Sequence, residues 1–231
     1  MKQMISVFSC IALSSVAALA SAAATPLTIT IYGGTGNIGQ RIVQEALDRG
    51  HQVTVVARDP STLTVKGSGL AVAKGDVTDT TLVTKQLAGQ NVVISAVGIG
   101  RDASQGDDLL RRAAQSLVTA IRAQGNKARL LVVGGSSVLQ PESPMRQRPA
   151  GVQHQQALDY LRTVKDVSWS YFVPAGEIRP GTRTGKFRLG GDQLVHDATG
   201  KSSISMEDYA VAMLDEAEKP AHVRQSFTIG Y

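Results

Sequence analysis

The chain has 231 residues and a net charge of +5, long enough for one domain with a sizeable core. The basic excess is scattered, with short clusters at Arg111-Arg112 and Arg179–Arg188. Aromatic residues are 4% of the chain and no basic run is interleaved with them, so no nucleic-acid partner is expected, whereas an acidic small molecule such as a nucleotide suits the balance.

Residues 1–24 read as a secretory signal peptide. Lys2 gives a positive start, Ile5 to Leu19 is uncharged and mostly apolar, and Ala18-Leu19-Ala20 or Ala22-Ala23-Ala24 offers a small-residue cleavage site. The apolar stretch is too short and too interrupted by serine for a membrane span, so no stable anchor is expected after cleavage. No twin arginine precedes it, which favours the general secretory route. The expected location is periplasmic or secreted if the signal is used and cytoplasmic otherwise. The lone cysteine, Cys10, lies in this leader. The remaining domain, residues 25–231, then has no thiol nucleophile, thiolate metal site or disulfide.

Apolar runs and helical patterns alternate along that domain. Leu27–Tyr32 is a short run rich in β-branched residues and predicts a buried strand. Asn37–Arg49 carries Ile38, Ile42, Val43, Ala46 and Leu47 at helical spacing, and Gly50 stops it. Strands follow at Gln52–Ala57 and Leu70–Ala73, then a helix at Thr80–Ala88 and a strand at Asn91–Ala96. A helix at Asp107–Ala123 precedes a strand at Leu130–Val133, and a helix at Gln153–Val164 precedes a strand at Ser168–Val173. From there the order changes. Glu177–Gly191 is a loop rich in glycine and arginine with a short strand at Lys186–Leu189. Ser205-Met206-Glu207-Asp208 is a capping box ahead of a helix to about Glu218, and Phe227–Ile229 is a final strand. Continuous apolar strands, each followed by a helix, predict an α/β fold: a doubly wound, Rossmann-like parallel sheet covered on both faces, with a small C-terminal elaboration over its carboxyl edge.

In such a sheet a ligand sits where strands end and helices begin. The run ITIYGGTGNIG places Gly33, Gly34, Gly36 and Gly39 there, after the first strand and inside a strand–helix–strand unit, the context that makes the glycine pattern informative. Gly33 or Gly34 turns the chain, Gly36 lets backbone approach a pyrophosphate, and Gly39 lets the helix pack close to the strand. The amides at the helix start then face the phosphates. The second strand ends in Ala57-Arg58-Asp59, where readers of NAD place an acid. A guanidinium at Arg58 suits a 2′-phosphate and favours NADP over NAD; the alternative is NAD with Asp59 as a displaced ribose acid. Asp76 and Val77 end the third strand near the adenine position, with a helix-cap role as the alternative for Asp76. Ala96, Val97 and Gly98 end the fourth strand, where small residues let a ribose lie close. No histidine has a partner at metal-ligand spacing, so no metal is expected.

These residues, with PAGEIRPGTRTGKFRLGGDQLVHDATGKSSISMEDYAVAMLDEAE (174–218), resemble the NmrA-like, NAD(P)-binding branch of the atypical short-chain dehydrogenases. The likeness is greatest to the group called "putative NADH-flavin reductases" and extends more distantly to biliverdin IXβ/flavin reductase. The resemblance implies an NAD(P)H-dependent reductase whose acceptor, a flavin or another planar conjugated small molecule, stacks on the nicotinamide; a flavin would be substrate rather than tightly bound cofactor. It implies that Gly33, Thr35, Gly36, Asn37 and Ile38 hold the pyrophosphate, and that Arg58 meets the 2′-phosphate, Asp76 and Val77 the adenine, and Ala96 to Gly98 the ribose. Ser136 and Ser137 would lie near the nicotinamide and acceptor. A monomer or dimer is expected.

The chain departs from the family pattern in its acid–base groups. The dehydrogenase Tyr-x-x-x-Lys pair is absent: Tyr160 and Lys165 are five apart, which turns them away from one another on a helix. Tyr160 reads as packing, as do Trp169 and Tyr171, and His51 reads as a turn residue. His154 is either a proton donor or a surface histidine. Ser136 and Ser137 have no adjacent base, which argues against nucleophilic catalysis. Arg179, Arg183, Lys186 and Arg188 either grip an acidic acceptor over the carboxyl edge or belong to a solvated loop. The missing pair leaves a second reading open, a non-catalytic NAD(P)-binding redox sensor or partner-binding module. A sugar-nucleotide epimerase would need both the pair and a larger substrate domain. NADPH is made in the cytoplasm, so the export signal and the cofactor point to different compartments.

Overall fold

The structure is a computed structural model that describes residues 25–99 and 108–231. The leader and Asp107, the expected start of the third helix, lie outside the described residues. Six strands follow the expected positions closely: β1 (Thr28–Tyr32), β2 (Gln52–Ala57), β3 (Leu70–Lys74), β4 (Val92–Ser95), β5 (Arg129–Val133) and β6 (Trp169–Val173). They alternate with α1 (Asn37–Asp48), α2 (Thr80–Gln86), α3 (Leu109–Ala123) and α4 (Pro149–Thr163). Helix α4 starts four residues before the expected Gln153, because Pro149 occupies its first turn, where the missing N–H costs nothing.

The C-terminal part holds β7 (Glu177–Arg179), β8 (Arg188–Gly190), β9 (Ser203–Ser205), α5 (Met206–Glu218) and β10 (Gln225–Gly230). The main sheet has the order β3-β2-β1-β4-β5-β6-β10-β8. Its pairings are parallel except that β8 runs antiparallel to β10. The chain winds outward from β1 to β3, crosses to β4, and winds the other way, so the reversal of strand order falls between β1 and β4. Strands β7 and β9, which the sequence did not reveal, pair in parallel as a separate two-stranded sheet.

Helices α2, α3 and α4 cover one face of the sheet, and α1 and α5 cover the other. Strand side chains alternate between the two cores with period two. Leu130, Val132, Trp169 and Tyr171 face α3 and α4, whereas Ile29, Ile31, Val55, Leu131 and Phe172 face α1 and α5. In the second core the rings of Tyr209, Phe172, Phe227 and His222 form a continuous stack with centroids 4.3, 4.2 and 4.0 Å apart, joining α5, β6 and β10.

Polar clasps close the α1/α5 face. Asp208, fully buried, accepts from the Thr184 and Gly185 amides (2.8 Å each), the Thr184 hydroxyl and the Tyr231 hydroxyl. Only half of the expected capping box forms: Ser205 Oγ accepts from the Asp208 amide, but the Asp208 carboxylate turns to the 184–185 loop. Glu216, also buried, accepts from Arg129, Ser170 and His222. His51 is a buried bridge rather than a turn residue: Nδ1 accepts from the Leu27 amide at 3.2 Å and Nε2 lies 3.0 Å from Glu218 Oε1.

Candidate cofactor site

The glycine run turns the chain at the β1–β4 reversal. Gly33 has φ +77°, and a Cβ there would lie 2.3 Å from the Ala96 carbonyl oxygen; only glycine fits both demands. A Cβ on Gly39 would lie 2.1 Å from the Gly33 oxygen, so this residue permits the close helix–strand approach. Gly36 is different. Its Cβ position meets only the Gly33 oxygen, at 3.4 Å, and it caps α1 with no side chain. The first intrahelical bond runs from the Gln40 amide to the Gly36 oxygen at 2.9 Å. The amides of Asn37, Ile38 and Gly39 therefore have no helical acceptor, and they carry the positive end of the helix dipole.

A cleft of about 300 Å³ opens at this point. It is lined by Gly33, Thr35, Gly36, Arg58, Asp76, Val77, Ala96, Val97 and Gly98, all singled out from the sequence, and also by Tyr32, Val56, Ala57, Gly75, Ile99 and Leu109. Most of the additional residues are the last positions of neighbouring strands, a signal available in the strand ends themselves; Leu109 opens α3 and is brought in only by tertiary packing. Among the described residues nothing lies within 4 Å of the Cβ position on Gly98. Asn37 and Ile38 sit beside the cleft as the first two residues of α1.

Three acids near the cleft have settled partners. Asp76 does not cap α2, because Asp79 does so through the Leu82 amide at 3.0 Å. Asp76 Oδ1 accepts instead from the Thr78 amide and hydroxyl, both at 2.8 Å. Burial works to raise the Asp76 pKa, but the Thr78 hydrogen bonds and the charges of Arg58 and Arg112 outweigh it and hold it below the ordinary aspartate value. Asp59 caps the short 3-10 turn at Pro60–Thr62, with Oδ1 accepting from the Ser61 amide (3.1 Å) and hydroxyl (2.6 Å). Arg58 is exposed at the cleft wall. A second recess of about 370 Å³, lined by Thr35, Arg58, Asp59 and Thr62, adjoins the cleft through Thr35 and Arg58.

The three residues expected at the reacting end come together at the end of β5. Ser136 and Ser137 begin a 3-10 turn, with Ser137 buried. Neither hydroxyl has a hydrogen-bond partner among the described residues. His154 is not a surface histidine. Its ring packs on Gly135, where a Cβ would lie 2.5 Å from Cδ2. Its Nδ1 is 3.0 Å from the Tyr171 hydroxyl, which also donates to the His154 carbonyl at 3.1 Å. Burial lowers the His154 pKa to about 4, so the ring is neutral near pH 7 and is not an imidazolium acid. Tyr160 packs against the α3/α4 core, and Lys165 Nζ donates to the Arg162 carbonyl at 2.6 Å, so the two do not act together.

The arginines of the 177–191 segment are turned away from the cleft. Arg183 pairs with buried Glu45 of α1 through two bonds of 2.7 and 2.8 Å. Arg179 pairs with Glu177, and Arg188 donates to the His196 and Tyr231 carbonyls. Arg183 and Arg188 are thereby engaged by the fold and Arg179 pairs locally within β7, which favours a structural and solvated loop, of the two alternatives, over a grip on an acidic acceptor.

Comparison with known proteins bears on the same residues. A family model described as NAD(P)H-binding matches residues 33–220. The crystal structure of a "putative exported protein" from Burkholderia pseudomallei is 38% identical, with a TM-score of 0.77 over 89% of this chain and 100% of that chain. That of a "putative epimerase" from Bacteroides thetaiotaomicron is 33% identical, with a TM-score of 0.78 over 90% and 98%. That of a "putative NADH-flavin reductase" from Streptococcus pneumoniae is 27% identical, with a TM-score of 0.75 over 88% and 99%.

Proposed function

The chain belongs to the NAD(P)H-binding family, and from that premise we propose that it is a reductase that uses NADPH to reduce a flavin or another planar conjugated small molecule. The observation that carries this reading is the uncapped start of α1 at Gly36, opening into a cleft whose far wall holds Arg58. The residues fit a nicotinamide dinucleotide. The Asn37 and Ile38 amides would take the pyrophosphate, the small residues at Ala96–Gly98 the ribose, and Asp76 and Val77 the adenine. Arg58 would take the 2′-phosphate by charge-assisted hydrogen bonds. Asp59 is occupied by Ser61, which weighs against its serving as the ribose acid of an NAD site.

A nicotinamide dinucleotide held in this cleft would supply hydride chemistry, with the proton that completes a two-electron reduction of the acceptor coming from solvent. The chain supplies position. The Ser136 and Ser137 hydroxyls, without partners among the described residues, would hydrogen-bond the acceptor's carbonyl edge. Neutral His154, fixed by Tyr171, would support the end of β5 beneath them. The lack of a base at either serine and of a Tyr–Lys pair favours a second reading, a binding module that senses the dinucleotide without turning it over.

Calorimetric titration of the protein with NADPH and NADH tests the cofactor assignment. Wild type is expected to bind NADPH in the micromolar range. Arg58→Ala should weaken NADPH by roughly tenfold or more, the scale of a lost charge-assisted contact, and leave NADH little changed. Absence of any nicotinamide binding would remove the reductase reading. Binding without turnover of flavins or quinones would leave the sensor.

We also propose that residues 1–24 direct export and are removed. The support is the leader's composition and the exported-protein name borne by one relative. Intact-mass measurement of the periplasmic fraction should find a chain beginning close to Thr25. A full-length cytoplasmic product would overturn this.

A further inference from the structure

We infer that Gln40 is a positioning residue that sets preference for NADPH over NADH without touching the cofactor; the inference rests on the 2′-phosphate reading above. Gln40 stands in the first turn of α1, one residue past the glycine pattern. Its Nε2 donates to the Thr35 carbonyl at 3.0 Å. Its Oε1 accepts from the Thr64 amide at 3.2 Å and from the Thr64 hydroxyl. One side chain thus bridges the glycine loop and the segment that follows β2.

Those two segments are the opposite walls of the recess beside Arg58, with Thr35 on one side and Thr62 on the other. The 58–62 wall is braced within itself by the Asp59–Ser61 bonds and by the Thr62 hydroxyl on the Asp59 carbonyl at 3.0 Å. Leu63 and Val65 pack its base on the α1 core. Packing of this kind fixes depth and leaves the gap between two loops loosely defined. The Gln40 amide fixes that gap, because its bond to Thr35 and its two bonds from Thr64 are made by one planar group at once. A 2′-phosphate held by Arg58 in this recess would lie between its two walls. NADH has no group there and depends on the main cleft alone.

The test uses the full chain and measures dissociation constants for NADPH and NADH with wild type, Gln40→Met, Thr64→Val and Arg58→Ala. Methionine keeps the length and packing of Gln40 and removes all three hydrogen bonds. Gln40→Met is expected to weaken NADPH about five- to tenfold, the scale of one or two lost polar contacts, with NADH changed less than about twofold. Thr64→Val, which keeps the backbone donor, should shift the ratio in the same direction by less, and it stands in for Gln40→Met should that variant not fold. Equal weakening of both cofactors, or none, beside an Arg58→Ala variant that selectively loses NADPH, overturns the role of Gln40 and leaves the 2′-phosphate reading intact. A wild type that does not prefer NADPH, with no selective loss in Arg58→Ala, removes that reading and this inference with it.

Discussion

His154 shows how a residue's chemistry is decided by neighbours far away in sequence. Gly134 and Gly135 follow β5, and Cβ atoms there would lie 2.5 Å from the rings of Tyr171 and His154. The two glycines make room for buried Tyr171 and half-buried His154 under the end of β5, and desolvation there lowers the His154 pKa to about 4. In the unfolded chain its pKa is about 6.5. The folded value is depressed, so the unfolded state takes up the proton first as pH falls. The stability that the neutral ring contributes is therefore complete above about pH 6.5 and is lost between there and about pH 4, by roughly 3 kcal/mol in all. Urea unfolding from pH 7 to pH 4.5 should show this slope in wild type and a shallower one in His154→Gln. Parallel slopes would mean that the ring is solvated and free to serve as an acid.

At the scale of elements, what could be read in the sequence was whatever both faces of the sheet impose. Strands β1, β2, β4, β5 and β6 are buried on both sides because helices cover both faces, so each appears as a short run rich in apolar and β-branched residues, broken only by a small polar residue such as Thr30 or Ser170. Helices α1 and α3 announce themselves by spacing. Strands β7 and β9 do not, because each is three residues long, too short for any period to register. Their pairing depends on contacts between residues some 25 positions apart. The same holds for Arg183 and Arg188: composition marks a basic loop, but only the fold shows that Glu45 and two backbone carbonyls occupy these side chains. The cofactor cleft was the more legible part, since strand ends and a glycine turn lie within local sequence. The acceptor end was less so, since Ser136, Ser137 and His154 meet through packing of α4 onto β5.

For the whole molecule, the sheet separates two cores with different chemistry. The α2/α3/α4 side is almost wholly apolar around Trp169, the only tryptophan. The α1/α5 side encloses three carboxylates, Glu45, Asp208 and Glu216, all nearly or fully buried. In each, burial pushes the pKa up, and hydrogen bonds outweigh it and hold it below the ordinary value: Arg183 and Arg49 for Glu45, Thr184 and Gly185 for Asp208, His222 and Ala221 for Glu216. Carboxylates depressed in the folded state stabilise it fully above their unfolded values near pH 4, and this contribution is lost as pH falls through the folded values. Acid should therefore unfold the protein below about pH 4.5, a lower window than that of His154. Both cores share the β-strands, so Trp169 fluorescence should follow the loss although no carboxylate touches it. Glu216→Gln leaves Arg129 without its counter-charge and should cost about 3 kcal/mol at pH 7. It should also flatten the pH dependence below 4.5, because one depressed carboxylate is gone. An unchanged acid slope in Glu216→Gln would show that this carboxylate is not what ties acid stability to the α1/α5 face.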